Sequence, residues 1–106
     1  MDVKTITSSE FDNEVVKVGG TVLVEFFGTW CMPCKMLSGI LDKTAAEFGD
    51  KVQIVKLDID QNTDLARDYG VMTVPTMIVF KNGEECERSV GFRQMKQIVD
   101  MVTPYI

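Results

Sequence analysis

Trp30-Cys31-Met32-Pro33-Cys34-Lys35 places two cysteines three positions apart, shortly after the apolar run Thr21-Val-Leu-Val-Glu-Phe-Phe27 and before a long helical pattern. That order sets the pair at a strand-to-helix junction. On the first turn of a helix, positions i and i+3 share a face, so the two sulfurs can meet. Cys31 belongs near the cap and Cys34 one turn in. Pro33 suits a first turn, where its fixed φ fits the helix and its missing N–H costs nothing. The unpaired N–H groups and the dipole at a helix N-terminus favour negative charge and stabilise a thiolate. The thiolate is the species that attacks disulfides, so the stretch reads as a redox dithiol. A structural disulfide and half of a zinc site are the competing uses. A tetrahedral zinc site needs four ligands, and the chain has no His and only one further cysteine, Cys86, so no metal is expected.

Outward from this junction, strands and helices alternate. Residues 21–27 are nearly all apolar, as in a central strand covered on both faces, with Glu25 the exception. Upstream, Val3-Lys-Thr-Ile6 reads as a short first strand. Thr7, Ser8 and Ser9 offer N-caps to a helix with Phe11, Val15, Val16 and Val18 at roughly helical spacing, ended by Gly19-Gly20. Downstream, a helix over about 33–48 carries Leu37, Ile40, Leu41, Ala45 and Phe48 as one apolar stripe. Gly39 sits inside it and is expected to weaken or bend it. Val52-Gln-Ile-Val-Lys-Leu57 is a third strand, and a shorter helix around 62–69 stops at Gly70. Two strands, 76–80 and 84–90, meet at Asn82-Gly83, a strong hairpin signal. Met95, Ile98, Val99 and Val102 mark a last amphipathic helix that Pro104 terminates.

The order β-α-β-α-β-α-β-β-α predicts an α/β fold: a central mixed five-stranded sheet flanked by four helices on its two faces. The cysteine pair then lies at the carboxyl end of the second strand, where open α/β sheets place their sites.

Composition excludes several classes. The chain has 106 residues, enough for one domain with a modest core. A net charge of −5 argues against a nucleic-acid surface and leaves no polybasic membrane patch. No apolar run approaches the roughly 20 residues that span a bilayer. Met1-Asp-Val-Lys-Thr-Ile6 lacks a signal-peptide pattern, and three cysteines are too few for a disulfide scaffold, so the reducing cytosol is the expected compartment.

Taken together, Trp30-Cys31-x-Pro33-Cys34-Lys35, Val74-Pro75-Thr76, Phe80-Lys81-Asn82-Gly83 and Val90-Gly91 resemble the thioredoxin family, over essentially the whole chain. The resemblance implies the thioredoxin fold in a single domain, residues 1–106. It implies that Cys31 is the attacking thiol and Cys34 the resolving thiol, with Met32 and Pro33 between them. Pro75 matches a cis-proline whose loop packs against the dithiol. Trp30, Thr73, Val74 and Gly91 match a shallow groove that receives an extended peptide of the target. Glu25 matches a buried carboxylate behind Cys34, and Lys56 a lysine beside it. The implied activity is reduction of protein disulfides, with no cofactor other than the Cys31–Cys34 disulfide. Disulfide-containing proteins are the implied targets, a flavoprotein thioredoxin reductase the implied donor, and a cytoplasmic monomer the implied state. Four positions depart from the family pattern: Glu25 for Asp, Met32 for Gly, Gly39 for Pro and Phe27 for Trp. None removes a reacting group. An oxidase or isomerase on the same fold, and a docking subunit without redox turnover, are the alternative functions.

Several residues have a plain structural reading beside the chemical one. An unpaired carboxylate in a buried strand is costly, so Glu25 is partnered, protonated or used; it is the candidate base for Cys34, and pairing with Lys56 or facing solvent is its bland explanation. Trp30 beside Cys31 is expected to be a partly exposed ring. Cys86, alternating with Glu85 and Glu87 in the last strand, reads as a small buried hydrophobe. Met36, Met77 and Met95 read as core filler, and Met32 and Met72 as contact surface.

Overall fold

The computed structural model describes residues 3–106; the N-terminal reading at Met1 and Asp2 lies outside the described residues. Five strands form one sheet: β1 (Lys4–Thr5), β2 (Thr21–Phe27), β3 (Val52–Asp58), β4 (Thr76–Lys81) and β5 (Glu84–Val90). Their spatial order is β1-β3-β2-β4-β5. β1, β3 and β2 run parallel, and β4 is antiparallel to both β2 and β5. The four α-helices are α1 (Ser8–Phe11), α2 (Met32–Phe48), α3 (Thr63–Asp68) and α4 (Met95–Val102). This is the expected mixed sheet with four helices. No helix among the described residues is long and apolar enough to cross a membrane.

Central position and side-chain alternation divide β2 between two cores. Val22, Val24 and Phe26 join Phe11, Val15, Val55, Ile78 and Phe80 on one face. Leu23 joins Leu37, Leu41, Ile54, Met77 and Ile98 on the other, beneath α2 and α4. Glu25 and Phe27 share the parity of Leu23 and so point to the α2 side.

The hairpin forms where Asn82-Gly83 predicts it. Both residues have positive φ, 50° and 84°, as a two-residue turn of primed type requires. Gly83 is doubly constrained, because a Cβ there would fall 2.5 Å from the Val16 carbonyl oxygen.

Several expectations need correction. The first helix is not uniform: after α1, residues Asp12–Val16 form a π-helical turn closed by Lys17 N–H donating to Asp12 O at 2.8 Å. The wider turn breaks the 3.6-residue spacing, so Phe11 and Val15 reach the core while Val18 is 50% exposed. Met36 is 59% exposed rather than core, because the buried face of α2 runs through Cys34, Leu37, Leu41, Thr44, Ala45 and Phe48. α2 also continues through Gly39, whose outer face is open: a Cβ there would meet nothing within 4 Å. Cys86 is exposed, not buried. Val79 pairs with Glu87 and Phe80 with Glu85, so Cys86 is the extra residue of a β-bulge on an edge strand. A simple alternation does not survive that insertion.

Candidate active site

β2 ends at Phe27, and Gly28-Thr29-Trp30 leads the chain to Cys31, the N-cap of α2. Cys31 is extended (φ −90°, ψ 109°), and its Sγ accepts the Cys34 N–H at 3.2 Å. Pro33 sits in the first turn, where its absent N–H leaves no donor unsatisfied. The two cysteines form a disulfide with Cα atoms 5.3 Å apart, and each is 4% exposed. An N–H aimed at Cys31 Sγ, at the positive end of a 17-residue helix, favours negative charge on that sulfur once the bond opens.

Two further segments close on the pair. Val74–Pro75 is a cis peptide, and the Val74 carbonyl oxygen lies 3.8 Å from Cys31 Sγ. Thr76 Oγ1 donates to Thr73 O at 2.6 Å, and Gly91 N–H donates to Pro75 O at 2.8 Å, so this loop is tied at both ends. Pro75 is buried, Val74 and Gly91 are half-buried, and Thr73 is exposed. Trp30 is 66% exposed, with its indole N–H donating to Asp60 Oδ2 at 2.8 Å. Its ring lies so close to Gly28 that a Cβ there would fall 2.7 Å from Cε2. Met32, the residue after Cys31, and Met72 are both exposed.

On β2, Glu25 is fully buried, and neither carboxyl oxygen has a hydrogen-bond partner among the described residues. Burial pushes its pKa from 4.5 to about 7, opposed by the positive charge of Lys56. Glu25 and Lys56 are register partners on β2 and β3, yet the pairing that is the bland alternative for Glu25 does not form. Lys56 Nζ instead donates to Ser38 Oγ at 3.0 Å and lies 4.9 Å from the centre of the Phe27 ring. Cys34, Lys35, Ser38, Lys56 and Phe27 line a cleft of about 230 Å³.

The structure therefore brings Cys31, Cys34, Val74 and Pro75 together and ties Gly91 to the same loop. It sets Lys56 in the cleft with Cys34, while Glu25 hydrogen-bonds to neither. Sequence reasoning missed Gly28, Ser38 and Asp60. Asp60 and Ser38 carry no motif; Gly28, between a buried strand and Trp30, is the one legible signal. Among the described residues no group of three or more His, Cys, Asp or Glu side chains is arranged to hold a metal ion.

Comparison with known proteins agrees with this geometry. Residues 2–104 match the family model described as Thioredoxin. The chain is 40% identical over 106 residues to a thioredoxin of Bacillus subtilis (strain 168), with 100% of both chains covered. It is 39% identical over 104 residues to a thioredoxin of Rickettsia typhi, covering 98% of this chain and 99% of that one. Its structure is similar to that of a mutant thioredoxin from Halobacterium salinarum NRC-1, with TM-score 0.90 and 31% identity, covering 98% of this chain and 90% of that one.

Proposed function

The chain belongs to the thioredoxin family and reduces protein disulfides by dithiol–disulfide exchange; from that premise we propose how its residues divide the work. Cys31, as thiolate, attacks one sulfur of the target disulfide. That bond breaks, a mixed disulfide forms, and the departing target sulfur takes a proton from solvent. Cys34 then gives its proton to the Glu25 carboxylate and attacks Cys31 Sγ. The Cys31–Cys34 bond forms, the second target sulfur leaves, and two electrons have passed to the target. A carboxyl that ionises near 7 suits a proton acceptor working near neutrality.

Trp30, Thr73, Val74, Pro75 and Gly91 form the groove for an extended target segment, with Met32 at its rim. The backbone at Val74, 3.8 Å from Cys31 Sγ, is where such a segment pairs, by strand addition. Re-reduction is by a flavoprotein thioredoxin reductase, and residues 1–106 work as a single, monomeric, cytoplasmic domain. The observation that carries the assignment of the attacking thiol is the Cys34 N–H donated to Cys31 Sγ at the start of α2. Dithiothreitol-driven insulin reduction tests it. Cys31→Ser is expected to fall to the uncatalysed rate, whereas Cys34→Ser accumulates a mixed disulfide on Cys31. Retained turnover in Cys31→Ser, or trapping on Cys34 in the wild-type chain, refutes the assignment.

A further inference from the structure

An acid and a base side by side on neighbouring strands are expected to pair across the sheet. Glu25 and Lys56 are so placed, and both point to the α2 side. Nonetheless the carboxyl has no partner, and the ammonium is taken by Ser38 at 3.0 Å. Ser38 lies one helical turn beyond Cys34 on α2, so both face the same cleft. Phe27 completes the ammonium's seat, with its ring centre 4.9 Å away.

We propose that Ser38 is a positioning residue: its hydroxyl holds the Lys56 ammonium on the helix side of the cleft and so keeps it from pairing directly with the Glu25 carboxyl. The functional meaning rests on Glu25 as the proton acceptor for Cys34; the geometric claim does not. A paired Glu25 would stay ionised well below neutrality and would be a poor base. An unpaired one, buried as it is, binds a proton strongly enough to take it from a thiol. Among the described residues no other charge competes for the role. Met77 faces Glu25 from β4, and Leu37 and Leu41 line the α2 side. Lys35, on the cleft, is exposed, and the Asp58 carboxylate is engaged by the Asp60 N–H at 2.9 Å.

Removing the hydroxyl leaves the half-buried ammonium short of an acceptor, and the unpartnered acceptor beside it is Glu25. Lys56 then swings to the carboxyl and stabilises its charged form. The test is a pH titration of the Glu25 side-chain carboxyl carbon by NMR in the oxidised protein. In Ser38→Ala the midpoint is expected to fall by about 1 pH unit, the size of effect an opposite charge within a few ångströms produces. Ser38→Thr restores a hydroxyl and stays near the wild-type midpoint. In a Lys56→Met background, Ser38→Ala moves nothing, since the two act through one charge. An unmoved midpoint in Ser38→Ala, an equal shift in Ser38→Thr, or a shift that survives in Lys56→Met overturns the proposal. The pH dependence of insulin reduction in Glu25→Gln is the separate check on the acceptor itself. An inflection near neutrality that survives there removes Glu25 from the chemistry and leaves the Ser38 result standing or falling on the titration alone.

Discussion

The two faces of the sheet differ in kind although β2 serves both. On the α1 and α3 side, Val22, Val24 and Phe26 meet an apolar cluster. Phe80 is its centre, in edge-to-face contact with Phe11 at 5.7 Å and with Tyr69 at 5.5 Å. On the α2 and α4 side, Leu23, Leu37, Leu41 and Ile54 begin an equally apolar layer, but toward the dithiol it admits Glu25, Lys56 and Ser38. One step along the strand separates the two regimes. The first face favours folding, because its core is apolar and the buried Asn62 at the start of α3 has its hydrogen bonds made, to Ser8 and to Asp58 O. The second gives up stability at an unpartnered carboxyl, since burying a polar group without a partner is unfavourable.

The sharpest way to break this division is Phe80→Ala. Truncating a fully buried Phe costs on the order of 3–5 kcal/mol, read from urea denaturation, while any inflection of insulin reduction near neutral pH should not move. An inflection that vanished with Phe80 would show that the faces are not independent.

Glu25→Gln attacks the other face, and the sign of its effect depends on pH. The carboxyl ionises near 7 in the folded protein against an ordinary 4.5. Stability from this group is therefore complete below 4.5 and is lost as pH rises toward 7, where the unfolded chain gives up a proton that the folded one keeps. A tenfold difference in proton affinity between folded and unfolded chain is worth roughly 1.4 kcal/mol, so the wild-type protein loses about 3 kcal/mol across that window through this group. Glu25→Gln should lack that loss, so its stability relative to wild type rises between pH 4.5 and 7. Parallel pH–stability curves for the two proteins would contradict the account of Glu25.

Gly39→Ala should raise stability by about 1 kcal/mol in chemical denaturation, since the site lies inside a helix and an added Cβ meets nothing. A loss would mean that the outer face of α2 is not open to a side chain. Cys86→Ser, on the exposed bulge far in register from the dithiol, should leave insulin reduction unchanged and move stability by no more than about 0.5 kcal/mol. Any loss of reducing activity there would extend the working surface to β5.

Much of the fold is legible in the sequence because its signals are local. The strand–dithiol–helix junction, the Asn82-Gly83 turn and the alternation of β and α follow from backbone preferences within a few residues. The failures have two causes. A regular period misplaces Cys86 and Val18, because a bulge and a π-helical turn each insert a residue that periodicity cannot foresee. Hydrophobicity alone misplaces Met36, because the helix face that meets the sheet is set by how α2 docks.

The sequence by itself determined the reacting pair, its place at a helix N-terminus and the order of the strands, because all three are written in contiguous residues. Tertiary structure alone decided which groups answer those sulfurs. Val74 comes to Cys31, Asp60 to Trp30 and Ser38 to Lys56 across gaps in the chain that no spacing rule spans. Whether Glu25 is paired or bare turns on such a contact. An ammonium on a flexible stem takes whichever acceptor the packed helix presents, and that choice exists only after the sheet and α2 have met.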